Sequence, residues 1–215
     1  MGLKRNLLTV VLFLFIVTVA ITFTINARWL YQWDINYLNI LNNVEVNRRE
    51  LLLNYDELMR YLNFFWVNPL VMPDFPTSDM GAFHFFEVKK LFQLNYLVLA
   101  MTSIPSVWYI LTMMKEKSMW LLIRPVTYIL TGIGILLFGM LVAFDEFFVL
   151  FHSVFFNNDA WLFDPYTDPI ILALPQDYFL HCFILFFVLL VTLLLIGLLV
   201  GKGQLKQQKN NQNLV

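Results

Sequence analysis

The sequence predicts an all-α membrane protein with four transmembrane helices and an extracytoplasmic helical cap. Four apolar runs, at 7–25, 91–114, 120–144 and 178–200, approach or exceed the roughly 20 helical residues that cross a hydrocarbon core about 30 Å thick. The composition agrees, since 60% of the residues are apolar, 13% are charged and 22 of the 215 are phenylalanine. Such a composition is typical of an integral membrane protein. We therefore expect a single membrane domain over 1–215.

Basic residues in the short segments predict the orientation of these helices. They precede the first run, fill the turn between the second and third runs, and follow the fourth: Lys4, Arg5, Lys115, Lys117, Lys202, Lys206 and Lys209. Short segments rich in lysine and arginine stay in the cytoplasm. Both chain ends are therefore expected inside, with the cap segments 27–90 and 145–177 outside. The first run is expected to be retained as a span, because it exceeds the usual 7–15-residue apolar core of a signal peptide.

Several classes of function receive no support from the sequence. A net charge of −1 gives no sign of nucleic-acid binding, and the single cysteine, Cys182, lies inside the fourth run. There is no glycine-rich phosphate loop, no G-x-S-x-G and no H-E-x-x-H, so the motifs of nucleotide, serine-hydrolase and zinc-protease chemistry are missing. We expect no cofactor and no metal.

The first cap segment predicts two further elements. Between residues 42 and 63, apolar side chains recur at helical spacing opposite charged ones; the apolar set is Leu51, Tyr55, Leu58 and Leu62. This pattern is typical of an amphipathic helix. Farther on, Thr77, Ser78 and Asp79 offer helix-capping side chains. His84 is therefore expected in the first turns of a helix that continues into the second span, with Glu87 on the same helical face.

A second histidine is expected on the same side of the membrane. The helix of the third span is predicted to continue through His152 and to end before the Asn157–Asn158–Asp159 stop. Two histidines can act as general base and general acid near neutral pH, which suits acyl transfer. Each is alternatively an interfacial residue with a satisfied hydrogen bond. His181, inside the fourth span, is expected to be structural, because no carboxylate is nearer in sequence than Asp177.

These residues carry a resemblance to a known family. Residues 84–89 read HFFEVK and residues 151–165 read FHSVFFNNDAWLFDP, and both segments resemble the bacterial lipoprotein intramolecular transacylases. The layout of four spans with an outer cap is similar as well, so that the likeness covers nearly the whole chain. Family members more often carry aspartate where this chain has Glu87.

The resemblance implies an activity. Members of this family move an acyl chain from the middle (sn-2) glycerol oxygen of a diacylated lipoprotein to the α-amino group of its own N-terminal cysteine, without an acyl carrier. By this resemblance His84 and His152 form the acid–base pair. Candidates for fixing a histidine tautomer, raising its basicity or binding substrate are Glu87, Asn158, Asp159, Trp161 and Asp164.

The resemblance also implies the surroundings of the reaction. The expected partners are a diacylated lipoprotein and membrane lipids, with no nucleic acid and no obligate protein partner. The expected location is the bacterial cytoplasmic membrane, with the active site on the outer face. Two other interpretations stay open from the residues alone: an interfacial or intramembrane metal-dependent hydrolase, and a non-catalytic membrane partner subunit.

Overall fold

The structure, a computed structural model, describes residues 2–212, and within that range it contains helices and connecting loops but no β-strand. The helices in chain order are α1 (Gly2–Ile25), α2 (Arg28–Tyr37), α3 (Arg48–Asn63), α4 (Asp79–Lys115), α5 (Ile123–Val142), α6 (Phe144–Phe155), α7 (Ile170–Ala173) and α8 (Gln176–Gln212). Short 3₁₀ turns lie at Ile40–Asn42 and Met119–Leu122.

Four helical segments are long and apolar enough to cross a membrane, namely Gly2–Ile25, Asp79–Lys115, Met119–Val142 and Gln176–Asn210. The predicted all-α membrane fold with four spans is therefore confirmed. Helices α4 and α8 each contain 37 residues, which at 1.5 Å per residue is about 55 Å. Since the hydrocarbon core is about 30 Å thick, both helices extend well beyond it.

The sequence predicted one continuous helix from the third span through His152, and this is wrong because the helix is interrupted at one residue. Helix α5 ends at Val142 and α6 begins at Phe144. Ala143 between them has φ −138° and ψ 63°, which lies outside the α-helical region. Two short helices, α2 and α7, have no counterpart in the sequence-based prediction.

The chain divides into two compact units. The first comprises Met1–Thr22, Tyr96–Val142 and Leu185–Val215. Its helices are joined by a few polar contacts: the fully buried Ser106 donates from Oγ to the carbonyl of Val11 at 3.4 Å, and the Met119 amide donates to Gln204 Oε1 at 2.9 Å. These bonds tie α4 to α1, and α8 to the turn that precedes α5.

The second unit, Phe23–Asn95 and Ala143–Ile184, is centred on three buried tyrosines. The rings of Tyr31 and Tyr55 stack with centroids 4.0 Å apart, and Tyr178 meets Tyr31 edge to face at 5.2 Å. Their hydroxyls are also paired, since Tyr31 donates to the carbonyl of Ala173 at 2.9 Å and the Tyr55 and Tyr178 hydroxyls lie 3.1 Å apart. Buried aromatic rings with satisfied hydroxyls contribute strongly to packing, and these rings hold α2, α3, α7 and α8 together.

The predicted amphipathic helix is confirmed as α3, and its start is a capping box. The Asn47 side chain accepts hydrogen bonds from the amides of Arg49 and Glu50, and the Glu50 carboxylate accepts one from the Asn47 amide. This reciprocal arrangement satisfies amides that a helix N-terminus otherwise leaves unpaired. The loop that follows α3 is fixed by Asn54, whose Nδ2 donates to Asp74 Oδ2 while its Oδ1 accepts from the Asp74 amide.

Candidate active site

His84 lies in the second turn of α4, and the start of that helix is fixed by Ser78. The Ser78 hydroxyl accepts a hydrogen bond from the Gly81 amide at 3.0 Å, and the Ser78 carbonyl accepts one from Ala82 at 2.8 Å. Serine is a preferred N-cap residue because its oxygen satisfies one of the unpaired amides of the first turn. The predicted helical placement of His84 is thereby confirmed.

His152 lies in the last turn of α6, and a hydrogen bond determines its tautomer. Its Nδ1 lies 2.7 Å from the carbonyl oxygen of Phe148, one turn earlier. Because a carbonyl oxygen only accepts, Nδ1 must carry the proton. In the neutral ring Nε2 therefore holds a lone pair.

The structure brings the two histidines together. Their ring centroids are 5.9 Å apart, and the residues are only 7% and 8% exposed. Aromatic rings surround them: Phe156 and Phe163 meet His84 edge to face at 4.7 and 5.5 Å, and Trp161 stacks on His152 at 4.3 Å. The imidazoles thus lie in an apolar enclosure with little access to water.

Burial changes the protonation of His152. Removal from water lowers its pKa below the ordinary value of 6.5, and the hydrogen bond to the Phe148 carbonyl opposes that shift. Desolvation penalises the charged form of an imidazole. The net effect makes His152 neutral at pH 7, with Nε2 able to accept a proton.

Glu87 lies one turn after His84, and its carboxylate bonds to Asn158. Asn158 donates from Nδ2 to Glu87 Oε2 at 3.0 Å, while its own Oδ1 accepts from the Ala160 amide at 3.0 Å. The buried His84 Nδ1 has no hydrogen-bond partner among the described residues. Glu87 therefore anchors the loop after α6 to α4 and makes no hydrogen bond to His84 Nδ1.

The other predicted site residues fall into two groups. Trp161 contacts His152 directly, as described above. The side chains of Asp159 and Asp164 are exposed, and neither forms a hydrogen bond to a histidine within the described part of the chain. Instead the Asp164 carboxylate accepts from the Tyr166 amide at 2.9 Å, which closes a turn that contains Pro165.

Asp168 is the site-building residue that the sequence did not identify. It is buried, and its carboxylate accepts three hydrogen bonds, from the Ser78 amide at 2.8 Å, the Ser78 hydroxyl at 2.7 Å and the Thr167 hydroxyl at 2.8 Å. A Cβ at Gly81 would collide with this carboxylate, so the approach depends on glycine. The sequence offered only an Asp–Pro turn signal at this position.

A histidine–carboxylate pair lies elsewhere in the same unit. His181 Nδ1 is 2.6 Å from Asp34 Oδ1, the Asp34 side chain is 0% exposed and that of His181 is 19% exposed. Burial raises the pKa of Asp34, and the hydrogen bond to His181 opposes that rise. Asp177, the nearest carboxylate in sequence, is thus not the partner of His181, because Asp34 reaches it from α2, 147 residues away in the chain.

Between residues 2 and 210, no three side chains of His, Cys, Asp or Glu lie close enough together to bind one metal ion. The carboxylate nearest to His84 in sequence, Glu87, is bonded to Asn158.

Comparisons with known proteins identify the family and the fold. The family model described as lipoprotein intramolecular transacylase Lit matches residues 6–179. The solved structure of the membrane-integral lipoprotein intramolecular transacylase Lit from Bacillus cereus is 28% identical, with a TM-score of 0.88, and the match covers 97% of this chain and 99% of that one. Two variants of the same Bacillus cereus protein, with one histidine replaced by arginine or alanine, are 27% identical with TM-scores of 0.80. Their matches cover 98% and 97% of this chain and 96% of each of theirs. No curated protein sequence matches significantly.

The Asp34–His181 pair generates a prediction about stability. His181→Asn leaves the Asp34 carboxylate buried without its imidazole partner, and breaking such a pair costs about 3 kcal/mol. We expect the Tm of the purified protein in detergent to fall by several degrees.

The matched control is the double variant Asp34→Asn/His181→Asn, which removes the buried charge as well as its partner. Because no carboxylate is then stranded, the double variant is expected to unfold at a higher temperature than His181→Asn alone. A single variant as stable as the wild type would show that the pair contributes nothing to the fold.

Proposed function

The chain belongs to the lipoprotein intramolecular transacylase family, whose members are acyltransferases, and from this premise we propose the route of its reaction. The substrate is a diacylated lipoprotein. The enzyme moves the sn-2 acyl chain of the diacylglyceryl group to the α-amino group of the N-terminal cysteine, and His84 and His152 transfer the protons. The observation that carries this proposal is the pair of buried imidazoles, 5.9 Å apart in an aromatic enclosure.

His152 is the proposed general base. Its Nδ1 is committed to the Phe148 carbonyl at 2.7 Å, which leaves Nε2 as the acceptor, and its lowered pKa keeps the ring neutral at pH 7. A base in this state can take a proton from the substrate amine as the amine attacks. Trp161, stacked on the ring at 4.3 Å, restricts the direction in which Nε2 points.

The proposed reaction balances without an external reactant. The neutral amine attacks the ester carbonyl and forms a C–N bond; the base takes one proton from the nitrogen, and the C–O bond to glycerol breaks as its oxygen gains a proton. The products are an amide and a glycerol hydroxyl on the same lipoprotein. His84, which lies beside His152 on a separate helix, is the proposed donor to the leaving oxygen. The proton that His152 takes from the amine then replaces the one that His84 gives up, so both rings end neutral.

Two physical effects supply the rate. Holding the amine and the ester of one molecule in near-attack geometry is worth on the order of 7–11 kcal/mol, and acid–base assistance adds roughly 10²–10⁴-fold. The aromatic rings around the histidines, among them Phe156 and Phe163, also exclude water. Exclusion of water favours transfer to the amine over hydrolysis of the ester.

We propose that four of the predicted residues position the loop after α6. They are Glu87, Asn158, Asp159 and Asp164. The Glu87–Asn158 bond holds this loop, which carries Trp161 and Phe163, against α4. The turn closed by Asp164 and the exposed Asp159 flank the two aromatic residues. Their contribution is therefore to position the enclosure and the incoming lipoprotein.

We propose that both chain ends are cytoplasmic and that the histidines work at the outer face of the bacterial cytoplasmic membrane. The basic short segments support this orientation. In a Cys182→Ser background, a membrane-impermeant thiol reagent added to intact cells should label Asn42→Cys but not Asn210→Cys. Labelling of Asn210→Cys from outside would contradict the orientation.

The proton-transfer roles predict a large loss of rate on removal of either ring. Asparagine is polar but does not titrate near pH 7, so His84→Asn and His152→Asn should each lose at least about 10²-fold in the rate of lyso-lipoprotein formation. Mass spectrometry of the lipoprotein N-terminus, with each acyl group located, gives the rate.

The matched control is Ser153→Ala, which changes an exposed side chain next to His152 and should keep the wild-type rate. The Tm of each variant is measured in the same detergent to separate lost chemistry from lost folding. Near-normal product from either histidine variant at wild-type stability would remove that histidine from the mechanism.

An isotope-crossover experiment tests whether the transfer is intramolecular. Purified enzyme is mixed with two diacylated lipopeptides of different mass, only one of which carries isotopically labelled acyl chains. No phospholipid, thioester or metal is added, and a chelator is present. Because the acyl group never leaves its parent molecule, each product should keep both chains of its own substrate.

Label crossing between the two peptides would indicate an acyl group bound to the enzyme or released from it. The histidines would then act as nucleophile and base. Loss of activity in the chelator would instead favour a metal-dependent reaction.

A further inference from the structure

A cavity of about 410 Å³ lies between the start of α2 and the first turns of α3. It lies in the same unit as His84 and His152, but neither histidine lines it. Its lining residues are Arg28, Arg48, Arg49, Leu52, Leu53 and Asp56. We refer to it as the arginine cavity.

The arginine cavity carries an excess of positive charge. Arg28 is neutralised by Asp56, which it meets through two bonds of 2.6 and 2.8 Å. Arg48 donates only to neutral oxygens, at 2.6 Å to Asn36 Oδ1 and at 3.0 Å to the Gln32 carbonyl. Within residues 2–210, no carboxylate lies within 4.0 Å of the Arg48 or Arg49 guanidinium. Two cations of the cavity are thus left without a counter-ion.

The position of these two cations in the helix is electrostatically unfavourable. Arg48 and Arg49 are the first residues of α3, where the helix dipole disfavours positive charge. A bound anion in the cavity would offset this unfavourable interaction with the dipole.

The location of the cavity along the chain points to a lipid. The apolar helix α1 ends at Ile25, and Arg28 follows three residues later. The end of a membrane-spanning helix lies at the level of the lipid headgroups. Leu52 and Leu53 line the same cavity, and Leu53 is 49% exposed, so an apolar wall adjoins the basic one.

We propose that the arginine cavity binds the phosphate of an anionic phospholipid, with Arg48 and Arg49 donating to the phosphate oxygens and the two leucines contacting the acyl chain. The guanidinium group matches phosphate geometry because two of its N–H groups can bond to two oxygens at once. The same chemistry would also accept inorganic phosphate, and the leucines favour the lipid.

The test measures binding, independently of any acyl transfer. Purified protein in a non-ionic detergent is titrated with phosphatidylglycerol, with phosphatidylcholine of the same acyl chains, or with inorganic phosphate, and its Tm is followed. Ligand that binds only the folded protein raises Tm. We expect phosphatidylglycerol to raise the Tm of the wild type, and phosphatidylcholine and inorganic phosphate to have little effect.

Arg49→Gln is the informative variant, because this side chain has no ion-pair partner to lose. It should require about tenfold more phosphatidylglycerol for the same shift. Arg60→Gln is the matched control: it removes one charge from the same helix, but Arg60 pairs with Glu57 at 2.6 Å and does not line the cavity. This control should respond to phosphatidylglycerol as the wild type does.

Three results would overturn the proposal. An equal shift with phosphatidylcholine would mean that the acyl chains alone bind. An equal shift with inorganic phosphate in lipid-free detergent would assign the cavity to a free anion. Equal weakening by Arg49→Gln and Arg60→Gln would reduce the effect to the overall charge of the surface.

Discussion

A buried carboxylate needs hydrogen-bond donors from the protein itself. Asp168 accepts three hydrogen bonds, and two of them come from Ser78, the residue immediately before the helix of His84. An unpaired buried charge is strongly destabilising, so the segment that carries Asp168 and the start of α4 must stay together. Gly81 allows the approach because it has no Cβ. The direction in which His84 enters the enclosure thus depends on a residue 84 positions away that makes no contact with substrate in the proposed mechanism.

The loop between α6 and α7 is held at two points, and the aromatic part of the enclosure lies between them. The Asn158–Glu87 bond fixes its beginning and Asp168 fixes its end. Trp161 and Phe163, between these anchors, pack on His152 and His84. Anchoring the backbone by polar contacts leaves the side chains between the anchors free to be apolar. These apolar surroundings also exclude water and lower the pKa of His152, so the packing of this loop helps to keep the His152 ring neutral.

The second unit contains two buried aspartates that are stabilised differently. Asp168 receives neutral donors on both oxygens, whereas Asp34 has a histidine on one oxygen and, among the described residues, no hydrogen bond on the other. Asp168 thus accepts three hydrogen bonds and Asp34 accepts one within the described part of the chain. The arrangement with more hydrogen bonds is the one attached to the helix of His84.

The sequence by itself determined the features that depend on local pattern: the four apolar helices, the amphipathic helix α3, and the Ser78 cap that places His84 near the start of α4. Helical periodicity and capping act over a few residues, so they can be recognised from the sequence. Only the tertiary structure decided the rest. The break at Ala143, the Asp34–His181 pair, the role of Asp168 and the stacking of Trp161 on His152 depend on segments far apart in sequence or on how neighbouring segments pack. The local sequence around Asp34 or around His181 does not indicate a partner. Only the packing of α2 against α8 buries Asp34 and brings His181 to within 2.6 Å of it.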